Sequence, residues 1–101
     1  MSYKAGLKIS IIIPVYNRPN EIEELLESLL NQTRKSFEVI VVEDGSDLSS
    51  DPVIEGYKSG LDIKYFYKEN SGPGQSRNYG CERAGGNYYI FLDSGFPYAK
   101  H

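Results

Sequence analysis

The sequence predicts an α/β fold: an open, mostly parallel sheet with helices on both faces. Three observations carry that expectation. Four short apolar runs, Ile9–Val15, Phe37–Val42, Ile63–Tyr67 and Tyr88–Leu92, each break into a polar cluster at their C-terminal end. Between them lie segments with helical spacing or helix-start signals, the alternation that builds βαβ units. The first two runs are continuous rather than alternating, as expected of strands buried on both faces.

Each element has its own reason. Ile9–Val15 is the first strand, with Pro14 expected to break its ladder near the end. A helix follows from about Pro19, a residue suited to the first helical turn, and Glu21, Glu23 and Glu24 complement its positive end. Ile22, Leu25, Leu26, Leu29 and Leu30 follow helical spacing and give it one apolar face for core packing. Arg34 and Lys35 suit its negative end. Phe37–Val42 is the second strand, and Glu43–Ser50 reads as a loop. Ser50-Asp51-Pro52 starts a short helix with Val53, Ile54 and Tyr57 on its apolar face, stopped by Gly60. Ile63–Tyr67, with Lys64 among aromatics, fits an edge strand. Lys68–Gly74 is a loop, Gln75–Ala84 a helix ending at Gly85-Gly86, and Asn87–Asp93 the fourth strand.

Right-handed crossovers then give the strand order 3-2-1-4, with the reversal between strands one and four. In open parallel sheets, ligands bind outside the carboxyl ends of the strands at such a reversal. Nearly every side chain suited to a polar ligand falls at those ends.

Composition sets the bounds. A chain of 101 residues makes one domain, with residues 1–8 as a polar tail and 9–101 as the domain. The 11 basic and 14 acidic residues are mixed along the chain, so no basic stripe of a nucleic-acid binder forms. Cys81 stands alone, which excludes an internal disulfide framework and suits a reducing compartment. No signal peptide is read, and no apolar run approaches the roughly 18 residues of a membrane span. Cytoplasmic placement is expected, the inner face of the membrane included. The nine tyrosines fall mostly in or beside strands, where β-propensity explains them.

The strand ends carry the chemistry. Glu43-Asp44-Gly45-Ser46 places two carboxylates beside a tight turn. A buried carboxylate there can accept from the imide N–H of a uracil-like ring, or Asp44 can simply cap the turn. Tyr16-Asn17-Arg18 offers an aromatic face, an amide and a cation, or only a sheet-end tyrosine and a solvated arginine. In Asn70–Asn78 the glycines Gly72 and Gly74 allow close backbone approach, and Arg77 and Asn78 would point toward the site from the first helical turn. The dinucleotide fingerprint fails, because Arg77 holds its third glycine position. Asp93-Ser94 ends the fourth strand with a carboxylate, the one candidate metal ligand. His101 is terminal, so neither a zinc cluster nor a Ser/His/Asp arrangement can be built.

Taken as a set, these segments resemble the N-terminal half of family 2 of the inverting glycosyltransferases, with the Rossmann-like GT-A fold. The matching stretches are Ser10–Asn17, Ser28–Thr33, Phe37–Ser46, Asn70–Gly74 with Arg77-Asn78, and Tyr88–Ser94. The resemblance implies a nucleotide-sugar donor, commonly UDP-linked, a sugar or glycolipid acceptor and a divalent metal, Mg or Mn. It places Tyr16 and Asp44 on the base, the backbone around Pro14 in the same pocket and Arg77 near the base. Carboxylates after the fourth strand would reach the ribose and the metal. The family reads Leu-Asp-x-Asp-Asp there. Here Asp93 fills the first acidic position, but Gly95 and Phe96 stand at the next two. The family's acceptor half and its catalytic base lie beyond this stretch, so no residue is assigned as base and the chain alone is expected to be inactive. A homo-oligomer is expected, because the apolar fourth strand would otherwise present an open edge.

Overall fold

The structure is a computed structural model that describes residues 8–33 and 36–92. Arg34, Lys35, Asp93 and Ser94 lie outside the described residues. The elements in chain order are β1 (Ile9–Val15), α1 (Pro19–Leu30), β2 (Phe37–Asp44), α2 (Asp51–Tyr57), β3 (Ile63–Lys68), α3 (Pro73–Arg83) and β4 (Tyr88–Phe91). The strands form one parallel sheet in the order β3-β2-β1-β4, the expected 3-2-1-4.

Strand alternation divides the core between two faces. Ile11, Ile13, Val15, Val39 and Val41 point to one face and pack against Ile22, Leu26 and Leu29 of α1 and Ile54 of α2. Ile12, Ile40 and Val42 point to the other and meet Phe66, Tyr79, Cys81 and Ala84 beneath α3. The first face is the larger apolar mass; a fully buried side chain such as Leu26 contributes about 1.5–3 kcal/mol there. α3 has little apolar surface to offer and lies close instead. A Cβ on Gly80 would come within 2.7 Å of Ile12 Cγ2, so glycine sets that approach. All three helices carry proline in the first turn, where a missing N–H costs no intrahelical bond.

Three local expectations are corrected. β2 does not stop at Val42 but runs through Glu43 and Asp44, which pair with Tyr67 and Lys68, so β3 also reaches Lys68. Acidic residues are poor strand formers, but here each finds buried hydrogen-bond donors. Pro14 does not break the β1 ladder, which continues through Pro14↔Val42 to Val15↔Glu43. Ile12 O accepts from Leu92 N on the β4 side, so two residues on Pro14 faces the same side, past the end of β4, where no N–H is required. α3 begins at Pro73 rather than Gln75, because Pro73 itself supplies the first helical residue. Among the described residues no helix is long and apolar enough to cross a membrane.

Candidate functional site

Three loops meet at the carboxyl end of the sheet. Asn17, after β1, takes the left-handed conformation (φ 52°), which asparagine tolerates better than most residues. Its N–H donates to Ser46 Oγ at 2.7 Å, and its Oδ1 accepts from Leu48 N at 2.9 Å. The β1 and β2 loops are thereby joined by a single asparagine. Tyr67, exposed beside them, donates to Ser46 O at 2.9 Å.

The β2 and β3 loops are joined more tightly. Gly45 (φ 71°) lies so close to Asn70 that a Cβ would sit 2.6 Å from its nitrogen. Asn70 Nδ2 donates to Asp44 O at 3.0 Å. The Asp44 carboxylate is wholly buried and accepts Ser71 N–H at 2.7 Å and Gly72 N–H at 2.8 Å, one on each oxygen. Lys68 Nζ forms an ion pair with Asp44 Oδ1 at 3.4 Å and also donates to Glu69 O and Ser71 Oγ. The segment Glu69–Gly72 is thus a strap closed over Asp44.

Consecutive strand residues point to opposite faces, so Glu43 and Asp44 do not share a site. Glu43, also wholly buried, turns toward α2 and accepts Ser50 N–H at 2.7 Å and Tyr65 O–H at 2.8 Å, both on Oε1. Burial and the Glu43 carboxylate hold the Tyr65 hydroxyl protonated, well above the usual phenol range. Glu43 Oε2, Ser50 Oγ and Ser76 Oγ are buried without a partner among the described residues. All three lie at strand ends or helix starts near the carboxyl end of the sheet, Glu43 and Ser50 on the α2 face and Ser76 on the α3 face.

The other expected site residues are distributed around this centre. Pro14 is buried in β1, while Tyr16 and Arg18 are half-buried in the following loop; Arg18 O accepts Ile22 N–H and starts α1. Arg77 is half-buried in α3 and makes no ion pair among the described residues; Asn78 and Gly74 are exposed. Open space surrounds the Cβ position of Gly74. The close approach belongs instead to Gly45, and the positive φ to Gly45 and Gly72 (φ 98°), the Cβ position of Gly72 being open as well. Lys68, Tyr65 and the strap amides were not singled out from sequence. The signal for Lys68 was its period-two spacing from Lys64 and Phe66, which puts all three on one face. Among the described residues no three His, Cys, Asp or Glu side chains come together to hold a metal.

Known proteins resemble this chain in sequence and fold. An uncharacterized glycosyltransferase of Rickettsia bellii is 48% identical over 87 residues, 86% of this chain and 13% of the relative. The crystal structure of TarS residues 1–349 from Staphylococcus aureus in complex with UDP-GlcNAc is 40% identical, with a TM-score of 0.80, over 87% of this chain and 26% of that one. A mannosyltransferase from Pyrobaculum calidifontis, in complex with GDP-Man and Mn2+, shares the fold alone at 24% identity and a TM-score of 0.76, over 85% of this chain and 27% of that one. The chain therefore spans about an eighth to a quarter of the length of these relatives. Residues 10–95 match glycosyl transferase family 2, and the chain belongs to that family.

Proposed function

We propose that this chain binds the nucleotide-sugar donor, with UDP as its nucleotide, for an inverting transfer of sugar to a sugar or glycolipid hydroxyl. The observation that carries the reading is Asp44, a buried carboxylate at a central strand end where three loops converge. The TarS complex with UDP-GlcNAc, at 40% identity, supports a UDP-linked donor. In this reading Asp44 accepts the uracil imide N–H as the strap amides yield, and Tyr16 stacks on the ring. The Pro14 backbone and Asn17 shape the same wall. Glu43 braces the β2 end. Arg18, Gly74, Arg77 and Asn78 border the pocket, and Asp93 and Ser94, which lie outside the described residues, are taken with them as donor-binding.

A divalent metal is implied by the family; Asp93, its candidate ligand, lies outside the described residues, and among the described ones no acidic cluster is gathered to hold a metal. Glu43 and Asp44 face apart and are held by protein donors, so no step is routed through a metal. The acceptor and the base that activates it belong to other parts of such an enzyme. Cys81, a lone half-buried thiol, supports a cytoplasmic setting. β4 is the edge through which copies would associate: Tyr88, Tyr89 and Phe91 are exposed, whereas the opposite edge carries Lys64 and Lys68.

Calorimetric titration with UDP tests the reading. Asp44→Asn is expected to weaken UDP roughly 10- to 100-fold, as for loss of a hydrogen bond to a charged group. Equal affinities would remove Asp44 from the pocket. A second reading, a non-catalytic nucleotide-binding module, is favoured by Gly95 and Phe96 at two acidic positions of the family. Under both readings the chain alone releases no nucleotide from UDP-sugars. Adding the remainder of the enzyme restores metal-dependent turnover only under the first.

A further inference from the structure

With Asp44 taken as the base acceptor, as proposed above, we infer that Lys68 is the positioning residue that aims it and balances its charge. The two residues are register partners at the ends of β2 and β3, on the same face of the sheet. Their separation is therefore fixed by the ladder and not by a loop. Lys68 is 15% exposed and Asp44 fully buried, so the pair is shielded from solvent and salt.

Asp44 has three donors of two kinds. The Ser71 and Gly72 amides belong to the strap, which carries a glycine at φ 98° just before α3. The Lys68 ammonium belongs to the sheet. A carboxylate offers about four acceptor positions. Strap amides can be exchanged for the N–H of a base without disturbing a strand. Lys68 stays in place during that exchange, balances the carboxylate charge and keeps one oxygen oriented. Its other contacts, to Glu69 O at 2.5 Å, to Ser71 Oγ and over the Tyr79 ring at 5.9 Å, hold the ammonium over the strap it shares with Asp44.

The experiment is a double-mutant cycle on UDP affinity, read by titration with the whole chain. Lys68→Met is expected to weaken UDP roughly tenfold in the wild-type background. In the Asp44→Asn background the same change should have less than about a twofold effect, because nothing remains to be positioned. Lys68→Arg, which keeps the charge and a donor, should restore most of the affinity. A merely structural lysine would lower affinity equally in both backgrounds and would overturn the inference. So would a Lys68→Met protein that binds UDP like wild type. Failure of the wild-type chain to bind UDP at all is a separate outcome: it removes the proposed function and the inference with it. Thermal melts of all five proteins show whether a loss of binding is a loss of folding.

Discussion

The two ends of β2 are built alike. At its amino end Glu38 accepts Ser10 Oγ and Gly85 N–H, each at 2.6 Å, and Lys64 Nζ at 2.7 Å. At its carboxyl end Asp44 accepts Ser71 N–H, Gly72 N–H and Lys68 Nζ. Each acid takes a lysine from the neighbouring β3 and at least one backbone amide from a loop adjoining α3, two for Asp44 and one, with the Ser10 hydroxyl beside it, for Glu38. Both acids face the α3 side, because they are six residues apart in a strand. α3, poor in apolar contacts, is stapled to the sheet at its start by Asp44 and at its end by Glu38. A buried carboxylate with loop amides is therefore not in itself a ligand site. The amino end even has an open groove of about 500 Å³ lined by Lys8, Phe37, Glu38, Asp62, Lys64 and Gly86.

Two differences separate the ends. Lys64 is 47% exposed whereas Lys68 is 15% exposed. Both loops are pinned a second time, the amino-end loop by Gly86 N–H on Ser10 Oγ at 2.9 Å and the strap by Asn70 Nδ2 on Asp44 O at 3.0 Å. The carboxyl end, however, gathers three loops and the buried unpartnered oxygens of Glu43, Ser50 and Ser76. One end is a closed staple. The other has polar capacity left over, at the side of a parallel sheet where ligands bind.

The largest effect is expected from Asp44→Ala. It deletes a buried carboxylate that accepts from two strap amides and Lys68; at about 1.5–3 kcal/mol for each hydrogen bond to a charged group, the two amides alone bring the cost to roughly 3–5 kcal/mol. Against a domain stability of roughly 5–15 kcal/mol, that is a large share. Urea unfolding of the variant checks it. A loss under about 1 kcal/mol, the range of an exposed ion pair, would mean the strap is not held by Asp44.

Glu38→Gln should cost less, about 1.5–3 kcal/mol, and should leave UDP affinity unchanged. Burial opposes ionisation of Glu38, but the bonds from Lys64, Ser10 and Gly85 and the Lys64 charge win, and its pKa falls from 4.5 to about 2. A carboxyl depressed by folding stabilises above its unfolded pKa and loses that contribution as pH falls through its folded value. The stability gap between wild type and Glu38→Gln should therefore be full above about pH 5 and close between 4.5 and 2. A gap that persists at pH 2 would assign the effect to shape and not to charge.

These staples explain which parts of the molecule could be read in advance. The strand order and α1 follow from apolar patterning, which acts over a few residues and leaves a periodic trace. The end of β2 did not, because Glu43 and Asp44 enter the strand only through donors from Ser50, Tyr65, Ser71 and Gly72, 7 to 28 residues away. Glu38 with Gly85 spans 47 residues and has no local signal at all. Among candidate site residues, Asp44 was visible as an acid at a strand end. Lys68 was read as loop, since its role depends on the register of β3 against β2. Asn17 was noticed as a polar group, but its use in joining two loops depends on where Ser46 and Leu48 arrive.

Lys64→Met is expected to have the smallest effect, and it isolates what burial adds to an otherwise repeated design. Lys64 and Lys68 lie on one face of β3 and each reaches an acid of β2, but Lys68 stands in register with Asp44, whereas Lys64 stands opposite Ile40 and reaches Glu38 diagonally. An ion pair with one half-exposed partner is typically worth about 0.2–1 kcal/mol, because water competes for the ammonium and two side chains lose freedom. Glu38 would keep Ser10 and Gly85 as donors, so the amino-end staple should hold. The cost should also shrink further near 1 M salt, where the screening length falls to about 3 Å. Lys68→Met should cost more and depend less on salt, since its pair lies beneath the strap. Parallel denaturation of both variants at low and high salt makes the comparison. Equal losses with equal salt dependence would show that the two lysines do the same work, and that burial at the carboxyl end adds nothing specific to Asp44.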